Sequence, residues 1–337
     1  MKNIKNLVFS LCNATSIGSI NEASSIAYKE LSKYCSATLQ GNTVVGEIKG
    51  ESEYKILLDA HVDQIGFIVT DIDDKGFLTL SKCGGIDLRT LPATTLTVYG
   101  KERIKAVFCS TPPHLSSEAE EFKDIANFKV DTLLGERAKE VVSLGDYAVL
   151  DGEPIELLGD RITAPSLDDR VGVACLLELA RRLEGKKLPV SVGFLFSDME
   201  ELGTRGAKTA SFKIEPEESI AIDVSFAAAL DVSKEKAGEL SGGAMIGVAP
   251  TLDRNISKAL INIAEENEIP YQQEVMGGRT GTNADVISIS KCGVKTGLLS
   301  IPLRNMHTKA EIVDMKDILS LCDILEKYIL SGGLFRW

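Results

Sequence analysis

The residues best suited to chemistry in this sequence are two histidines and several carboxylates that follow apolar, strand-like runs. Functional groups of open α/β sheets gather where strands end. The residues at these predicted strand ends are His61, Asp63, Glu200, Glu201, Asp223 and His307. Two further carboxylates, Asp168 and Asp169, precede a predicted helix. Imidazole nitrogens and carboxylate oxygens are ligands of Zn²⁺ and similar cations, so the pattern predicts a metal centre with mixed ligands.

Each of these residues also has an ordinary structural interpretation. Asp168 and Asp169 could cap a helix, where negative charge is favourable, and Glu200 could be a solvated side chain. Asp223 is harder to explain in this way, because it follows the apolar residues 220–222. A carboxylate within a buried strand needs a partner or a cation. The metal hypothesis therefore depends on all of these residues together. The third histidine, His114, follows two prolines and is predicted to be structural or to lie at a subunit contact.

Composition limits the class of partner. The chain has 337 residues, enough for about two domains, and its 37 Lys and Arg against 49 Asp and Glu give a net charge of −12. That balance argues against nucleic-acid and anionic-membrane partners, and no apolar run reaches the ~20 residues of a membrane span. The seven cysteines lack a Cys-x-x-Cys pair, which favours a reducing compartment. We therefore expect a cytoplasmic protein.

Two patterns of elements alternate along the chain. Residues 43–160 are mostly strand-like, with apolar runs joined by short glycine-containing turns, which is typical of hairpins. These turns are at residues 50–53, 73–76 and 100–103. After about residue 163, helices alternate with apolar strands, which predicts an α/β sheet covered on both faces. The strand at 55–60 resembles those later strands. We therefore predict one catalytic α/β domain from residues 1–66 and 160–337, with a β-rich domain, residues 67–159, inserted into it.

Five motifs in a fixed order resemble those of the tetrahedral (TET) aminopeptidases. They are His-x-Asp at 61–63, Asp-Asp-Arg-x-Gly at 168–172, Glu-Glu-x-Gly-x-x-Gly-Ala at 200–207, an Asp after an apolar strand at 223, and Ile-Pro-x-Arg-x-Met-His at 301–307. This family comprises dinuclear metallopeptidases, including glutamyl and deblocking aminopeptidases, and its members are sometimes labelled endoglucanases. The resemblance implies a zinc-peptidase-like mixed sheet covered by helices, with an inserted β-rich, PDZ-like dimerisation domain. It also implies a homo-oligomer in which dimers build a dodecamer.

The resemblance further implies two divalent metal ions per subunit, Zn²⁺ or Co²⁺, with Mn²⁺ as another candidate. His61 and Asp223 would hold one ion, Glu201 and His307 the other, and Asp168 would bridge them. A bridging carboxylate suits two ions about 3.5–4 Å apart that share a water.

The remaining motif residues would act beside the metals. Asp63 would orient the His61 imidazole, and Glu200 would be the general base that takes the proton of the water. Asp169 would follow Asp168 across a cis peptide bond. The glycine-rich residues 277–282 lack the Lys-Ser/Thr of a phosphate-binding loop and, by resemblance, lie near the substrate.

Three positions depart from the family pattern: Gln64, Asn283 and Asn305 stand where Glu, Asp and Tyr are usual. None is a proposed ligand. Asn283 and Asn305 are expected near the substrate, so the resemblance does not indicate which N-terminal side chain of the peptide this protein prefers.

The sequence therefore predicts a metal-dependent aminopeptidase that releases N-terminal residues from short peptides. Two alternatives stay open at this point. One is a dinuclear hydrolase acting on another amide, such as an acylated amino acid or sugar, and the other is a non-enzymatic shell with a degenerate site. An endoglucanase finds little support, because aromatic residues are only 6% of the chain.

Overall fold

The computed structural model describes residues 2–111, 124–230, 232–233 and 237–336. Its α-helices are α1 (Lys2–Cys12), α2 (Glu22–Leu31), α3 (Ala138–Val141), α4 (Leu167–Leu183), α5 (Arg205–Ile214), α6 (Arg254–Glu266), α7 (Ala284–Ile287) and α8 (Met315–Ser331). Its strands are β1 (Ser16–Ile17), β2 (Ile20–Asn21), β3 (Ser36–Gln40), β4 (Thr43–Ile48), β5 (Lys55–His61), β6 (Gly66–Ile72), β7 (Leu78–Cys83), β8 (Thr95–Tyr99), β9 (Arg103–Phe108), β10 (Lys129–Asp131), β11 (Tyr147–Leu150), β12 (Ile155–Glu156), β13 (Arg161–Ala164), β14 (Ser191–Ser197), β15 (Glu218–Phe226), β16 (Ala244–Val248), β17 (Tyr271–Val275), β18 (Lys295–Leu303) and β19 (Glu311–Asp314).

The largest sheet has eight strands in the order β3-β4-β14-β5-β15-β18-β16-β17. Its four central strands, β14, β5, β15 and β18, are parallel. Antiparallel pairs join this centre to β4 on one side and to β16 on the other. The prediction of a mixed α/β fold is therefore confirmed.

Helices cover both faces of this sheet. On β15, Ile220 and Ile222 belong to the main core with residues of α4 and α8, whereas Ala221 packs with Ala284 of α7 on the opposite face. All seven residues of β14 are buried. Parallel strands that are covered on both faces read as continuous apolar runs, which is why the sequence identified them.

A second body, a closed six-stranded barrel, is built by residues 66–150. Its strand order is β10-β7-β6-β11-β8-β9, and it has a hydrophobic core of its own. The ring of Phe108 packs against Phe67 and Phe128, with centroids 5.3 Å and 6.4 Å apart. The hairpins predicted around residues 73–76 and 100–103 are confirmed as β6–β7 and β8–β9.

The turn at residues 50–53 does not form a hairpin, in contrast to the pattern predicted for this part of the chain. β14 lies between β4 and β5, pairing antiparallel with the first and parallel with the second. The difference arises because β14, which is wholly buried, takes the central position next to β5. Sequence-local turn chemistry gives no information about such a distant strand.

Two further predictions concern membrane-spanning segments and His114. Within the described ranges, no helix has both the length and the apolar character needed to cross a bilayer. His114 and its neighbours at 112–115 lie outside the described residues.

A buried carboxylate lies at the amino ends of the parallel strands, at the edge of the sheet away from the predicted site. Glu218, at the start of β15, is fully buried and accepts hydrogen bonds from the hydroxyls of Tyr328 on α8 and Tyr54, the latter at 2.8 Å. The backbone N–H of Leu334 also donates to it. Burial raises the pKa of Glu218, and the hydroxyl donors oppose that rise by stabilising its charge. This cluster ties α8 to the central sheet.

We expect Tyr328→Phe to lower the free energy of unfolding by about 1–3 kcal/mol, because a buried carboxylate oxygen loses its donor. The measurement is the denaturant midpoint of the purified variant. Tyr271→Phe is the matched control, since its hydroxyl bonds Glu265 at the surface and its loss should change stability by less than about 0.5 kcal/mol. Equal losses in the two variants would contradict the role of the buried cluster.

Candidate metal centre

The predicted chemical residues meet at the carboxyl ends of the central parallel strands. His61 is the last residue of β5, Asp223 lies near the end of β15, and His307 follows β18. Glu200 and Glu201 lie in the turn after β14. The register of the strands brings these segments to one edge of the sheet, as expected for an α/β fold.

Asp168 lies between the two histidines. Its Oδ1 is 2.9 Å from Nε2 of His61, and its Oδ2 is 3.3 Å from Nε2 of His307. Asp168 is buried, and the two oxygens of one carboxylate face different imidazoles. This arrangement suits a carboxylate that is shared by two ions.

Two other carboxylates flank this centre, one beside each histidine. Oε1 of Glu201 is 3.3 Å from Nε2 of His307, and Oδ1 of Asp223 is 3.9 Å from Nε2 of His61. Ligand atoms of His61, Asp168 and Glu201 all lie within 4.8 Å of one another. The structure thus brings together all five residues predicted as ligands, in two groups that share Asp168.

Asp169 has a different task from Asp168, to which it is joined by a cis peptide bond. Both residues have non-helical backbone angles, so the regular part of α4 begins after them. Asp169 accepts a hydrogen bond from the N–H of Gly172, which is the capping interaction that the sequence offered as an alternative. A Cβ at Gly172 would lie 2.4 Å from Asp169 Oδ2, which explains the glycine of the motif. Asp169 therefore starts the helix, and Asp168 faces the site.

Asp63 orders the turn that carries the two glutamates. Its carboxylate accepts the N–H of Glu200 at 3.0 Å and the N–H of Glu201 at 3.2 Å. The same carboxylate lies 3.5 Å from Nδ1 of His61, longer than an ordinary hydrogen bond. Asp63 thus faces His61, as predicted, and it also fixes the backbone of Glu200 and Glu201, a role that the sequence did not predict.

Glu311, at the start of β19, was missed by the sequence analysis. It is buried, and its two oxygens accept the N–H of Asp168 at 3.1 Å and the N–H of His307 at 2.8 Å. Burial and the charge of Asp168 raise the pKa of Glu311 to about 8. One side chain therefore positions two of the converging segments. Its polar sequence surroundings at 308–311 gave no signal of burial.

Gln64, which stands where the family usually has Glu, is a hydrogen-bond partner of the buried Arg170. Its Oε1 accepts hydrogen bonds from Arg170 Nη2 at 3.0 Å and from the N–H of Ser16. Arg170 is fully buried, which lowers its pKa to about 10, and it also donates to the carbonyls of Leu11 and Ala14. The amide of Gln64 retains a hydrogen bond to the guanidinium but carries no charge.

The electrostatics of the centre favour bound cations. Burial, with the charges of Glu201 and Asp168, raises the pKa of Glu200 to about 7 against the opposing charge of His61. Burial likewise raises the pKa of Asp223 well above its ordinary range. Burial also acts to raise the pKa of Asp168, but hydrogen bonds with both histidines outweigh it and lower that pKa. Buried carboxylates that crowd together need compensating positive charge. The donor set therefore fits divalent cations.

A cavity of about 1120 Å³ opens beside this centre. Its wall continues from the site residues to β17, to Met245 of β16 and to the glycine-rich loop at 277–282. Asn283 was expected near the substrate, but it is buried beneath that loop and donates to Asp59 and Ser197, both at 2.8 Å. Asn305 donates to the carbonyl of Ala310.

The barrel contributes to the rim of the site. Gly84 and Gly85 follow β7, and a Cβ at Gly85 would lie 2.9 Å from Nδ1 of His307. A Cβ at Gly84 would lie 3.2 Å from Oε2 of Glu201. The barrel backbone thus packs closely against two of the converging side chains, and a Cβ at Gly85 would require the His307 side chain to shift.

Comparison with known proteins places this geometry in a family. A lysyl aminopeptidase of Pyrococcus furiosus is 33% identical over 285 residues, which cover 82% of this chain and 81% of the relative. An aminopeptidase structure from Desulfurococcus kamchatkensis is 30% identical with a TM-score of 0.91, covering 98% of this chain and 95% of that one. The structure of the TET1 peptidase of Pyrococcus horikoshii, which can assemble into a tetrahedron or a large octahedral shell, is 29% identical with a TM-score of 0.84, over 96% of this chain and 99% of that one.

The family model described as M42 glutamyl aminopeptidase matches residues 41–324, which include the whole converging site. The resemblance to the tetrahedral aminopeptidases is therefore confirmed, and so is the prediction that the protein is a peptide-bond hydrolase. The chain belongs to the M42 glutamyl aminopeptidase family.

Proposed function

We propose that this protein removes N-terminal residues from short peptides with the help of two divalent cations, Zn²⁺ or Co²⁺. The observation that carries the proposal is Asp168, whose two oxygens face two different imidazoles, those of His61 and His307. In this assignment His61 and Asp223 would hold one ion, Glu201 and His307 would hold the other, and Asp168 would be shared by both. Membership of a metallo-aminopeptidase family supports it.

The residues of the chain divide the remaining work. When bound, a pair of divalent cations lowers the pKa of a water and polarises the peptide carbonyl. Glu200 lies on the cavity beside the ligands, with a pKa raised to about 7, and it takes the proton of the attacking water and delivers it to the leaving amine. Asp63 orients His61 and holds the turn that presents Glu200. Glu311 fixes the backbone of Asp168 and His307.

We also propose that the chain works as a homo-oligomer, with residues 67–159 as a PDZ-like dimerisation domain of dimers that build a dodecamer. The assembly of the Pyrococcus horikoshii relative supports this proposal. So do apolar side chains exposed in this segment, among them Leu133, Leu144 and Leu158, which are 83%, 66% and 94% exposed. A subunit partner would shield such side chains from water.

Activity should depend on metal and on a free N-terminus. We expect the protein to hydrolyse aminoacyl p-nitroanilides, to lose this activity after dialysis against a chelator, and to regain it with Zn²⁺, Co²⁺ or Mn²⁺. The measurement is the rate of nitroaniline release from a panel of aminoacyl substrates and their N-acetyl counterparts. Undiminished activity in excess chelator, or faster hydrolysis of the acetylated series, would refute the proposal.

Glu200→Gln should separate binding from catalysis. The amide keeps the size of the side chain but cannot accept the proton, so we expect kcat to fall by about 10²–10⁴-fold. Metal content, measured by mass spectrometry of the dialysed protein, should stay at two equivalents per subunit. Glu266→Gln, a change of the same kind on the exposed face of α6, is the control. Wild-type kcat in Glu200→Gln would remove Glu200 from the role of base.

Glu311→Gln tests the backbone link beneath the ligands. A glutamine has only one side-chain oxygen, so it can accept from one of the two N–H groups, and its own NH₂ group faces the other N–H. The segments of Asp168 and His307 therefore lose their common acceptor. We expect metal affinity to fall by about 10- to 100-fold, the usual effect of losing a group that orients ligands. Titration of the apo-protein with Zn²⁺ measures it. An affinity equal to that of Glu266→Gln would show that Glu311 is dispensable.

A further inference from the structure

A second carboxylate lies on the same cavity and has no part in the metal centre. Glu274, on β17, is half-buried, and its Oε1 accepts a hydrogen bond from the hydroxyl of Ser225. Its Oε2 accepts a hydrogen bond from the hydroxyl of Ser300 at 2.8 Å. Glu274, Ser225 and Ser300 all line the cavity. Two hydroxyls, each on a different oxygen, therefore fix this carboxylate in one orientation.

Among the residues that the structure describes, none supplies a counter-charge to Glu274. Within the described part of the chain, no lysine or arginine forms an ion pair with Glu274, and its donors are neutral hydroxyls. Each carboxylate oxygen accepts more than one hydrogen bond, so both retain capacity after the serines are bound. A carboxylate that is oriented, partly desolvated and unpaired attracts a cation strongly.

The surroundings of Glu274 match a long cationic side chain. Met245 and Leu298 are buried residues on the cavity wall, and Phe226 also lines it. Apolar side chains and a carboxylate that line the same cavity suit lysine and arginine, whose methylene stems pack on apolar surface while the charged end binds an anion.

The distance to the metal centre also fits. Ser300 is the register partner of Asp223 on the neighbouring strand, so their backbones are about 4.8 Å apart. Glu274 is one hydrogen bond beyond Ser300. An extended lysine side chain spans roughly 6 Å from Cα to Nζ over five bonds of about 1.5 Å. A residue whose α-amino group lies at the metal centre can therefore reach Glu274 with its side chain.

We propose that Glu274 selects peptides whose N-terminal residue is lysine or arginine. This inference rests on the proposed function and specifies the substrate class of the same site. The family name and the Pyrococcus furiosus relative refer to side chains of opposite charge, glutamyl and lysyl, so neither decides the preference of this chain. Arg279, also on the cavity, is the residue that would favour an acidic side chain. It lies on the exposed glycine-rich loop, whereas Glu274 lies on a strand and is held by two hydroxyls.

The test compares kcat/KM for lysyl, arginyl, norleucyl and glutamyl p-nitroanilides with the metal-loaded protein. Norleucine has a similar hydrocarbon chain to lysine without the ammonium group, so the lysyl-to-norleucyl ratio isolates the charge. We expect that ratio to exceed 1 in the wild type and to fall by about 10- to 100-fold in Glu274→Gln, the usual value of a charged hydrogen bond. Glu274→Lys should shift the preference toward the glutamyl substrate. Glu266→Gln should leave the ratio unchanged.

A binding measurement keeps the test independent of turnover. Isothermal titration of lysinol and norleucinol, amino alcohols that have no amide bond to cleave, should show tighter binding of lysinol to the wild type, and this difference should disappear in Glu274→Gln. A lysyl-to-norleucyl ratio unchanged by Glu274→Gln, with hydrolysis intact, would overturn the inference and leave the proposed function standing. So would a glutamyl preference that Arg279→Gln abolishes. If no aminoacyl substrate is hydrolysed, the proposed function fails, and the titration alone decides the role of Glu274.

Discussion

The carboxylate of Asp168 is buried between two imidazoles that come from opposite parts of the chain, His61 near the beginning and His307 near the end. Electrostatics at this point constrain everything around it, because a buried carboxylate is costly unless it is paired. The fold meets that constraint by bringing parallel strands to one edge and by fixing the backbone of the converging segments. Asp63 and Glu311 supply that fixation by accepting hydrogen bonds from main-chain N–H groups.

The same centre explains why the acidic residues are arranged as they are. Glu200, Glu201 and Asp223 crowd around Asp168, and burial raises the pKa of Glu200 and that of Asp223. Such crowding of carboxylates is unfavourable for a protein without bound cations. Glu274 differs from them, since its donors are hydroxyls and it lies farther along the cavity wall. The cavity therefore contains two acidic regions with different partners, one shared with imidazoles and one lined by apolar and hydroxyl groups.

Much of this arrangement could be predicted from the sequence, because buried parallel strands leave continuous apolar runs and their ends are easy to locate. His61 and Asp223 were found in this way, and the hairpins β6–β7 and β8–β9 followed from their turns. Glu311 was not found, because a buried glutamate within a polar stretch looks like a solvated one. The strand β17, with the sequence Tyr-Gln-Gln-Glu-Val, lacks a clear apolar alternation, so Glu274 gave no signal either. The placement of β14 between β4 and β5 depends on a long-range pairing that no local pattern encodes.

The contact between the barrel and the site has a consequence for how this molecule can be divided. The chain leaves the eight-stranded sheet after His61, builds the barrel with β6–β11, passes through β12 and β13, and reaches Asp168 at the start of α4. In the barrel, the backbone of Gly84 packs against Glu201 and that of Gly85 packs against His307. The barrel is therefore not an appendage that could be removed to leave a minimal hydrolase, because its excision would uncover one side of the centre. Natural variation or engineering of the barrel surface is free only where it leaves this glycine pair in place.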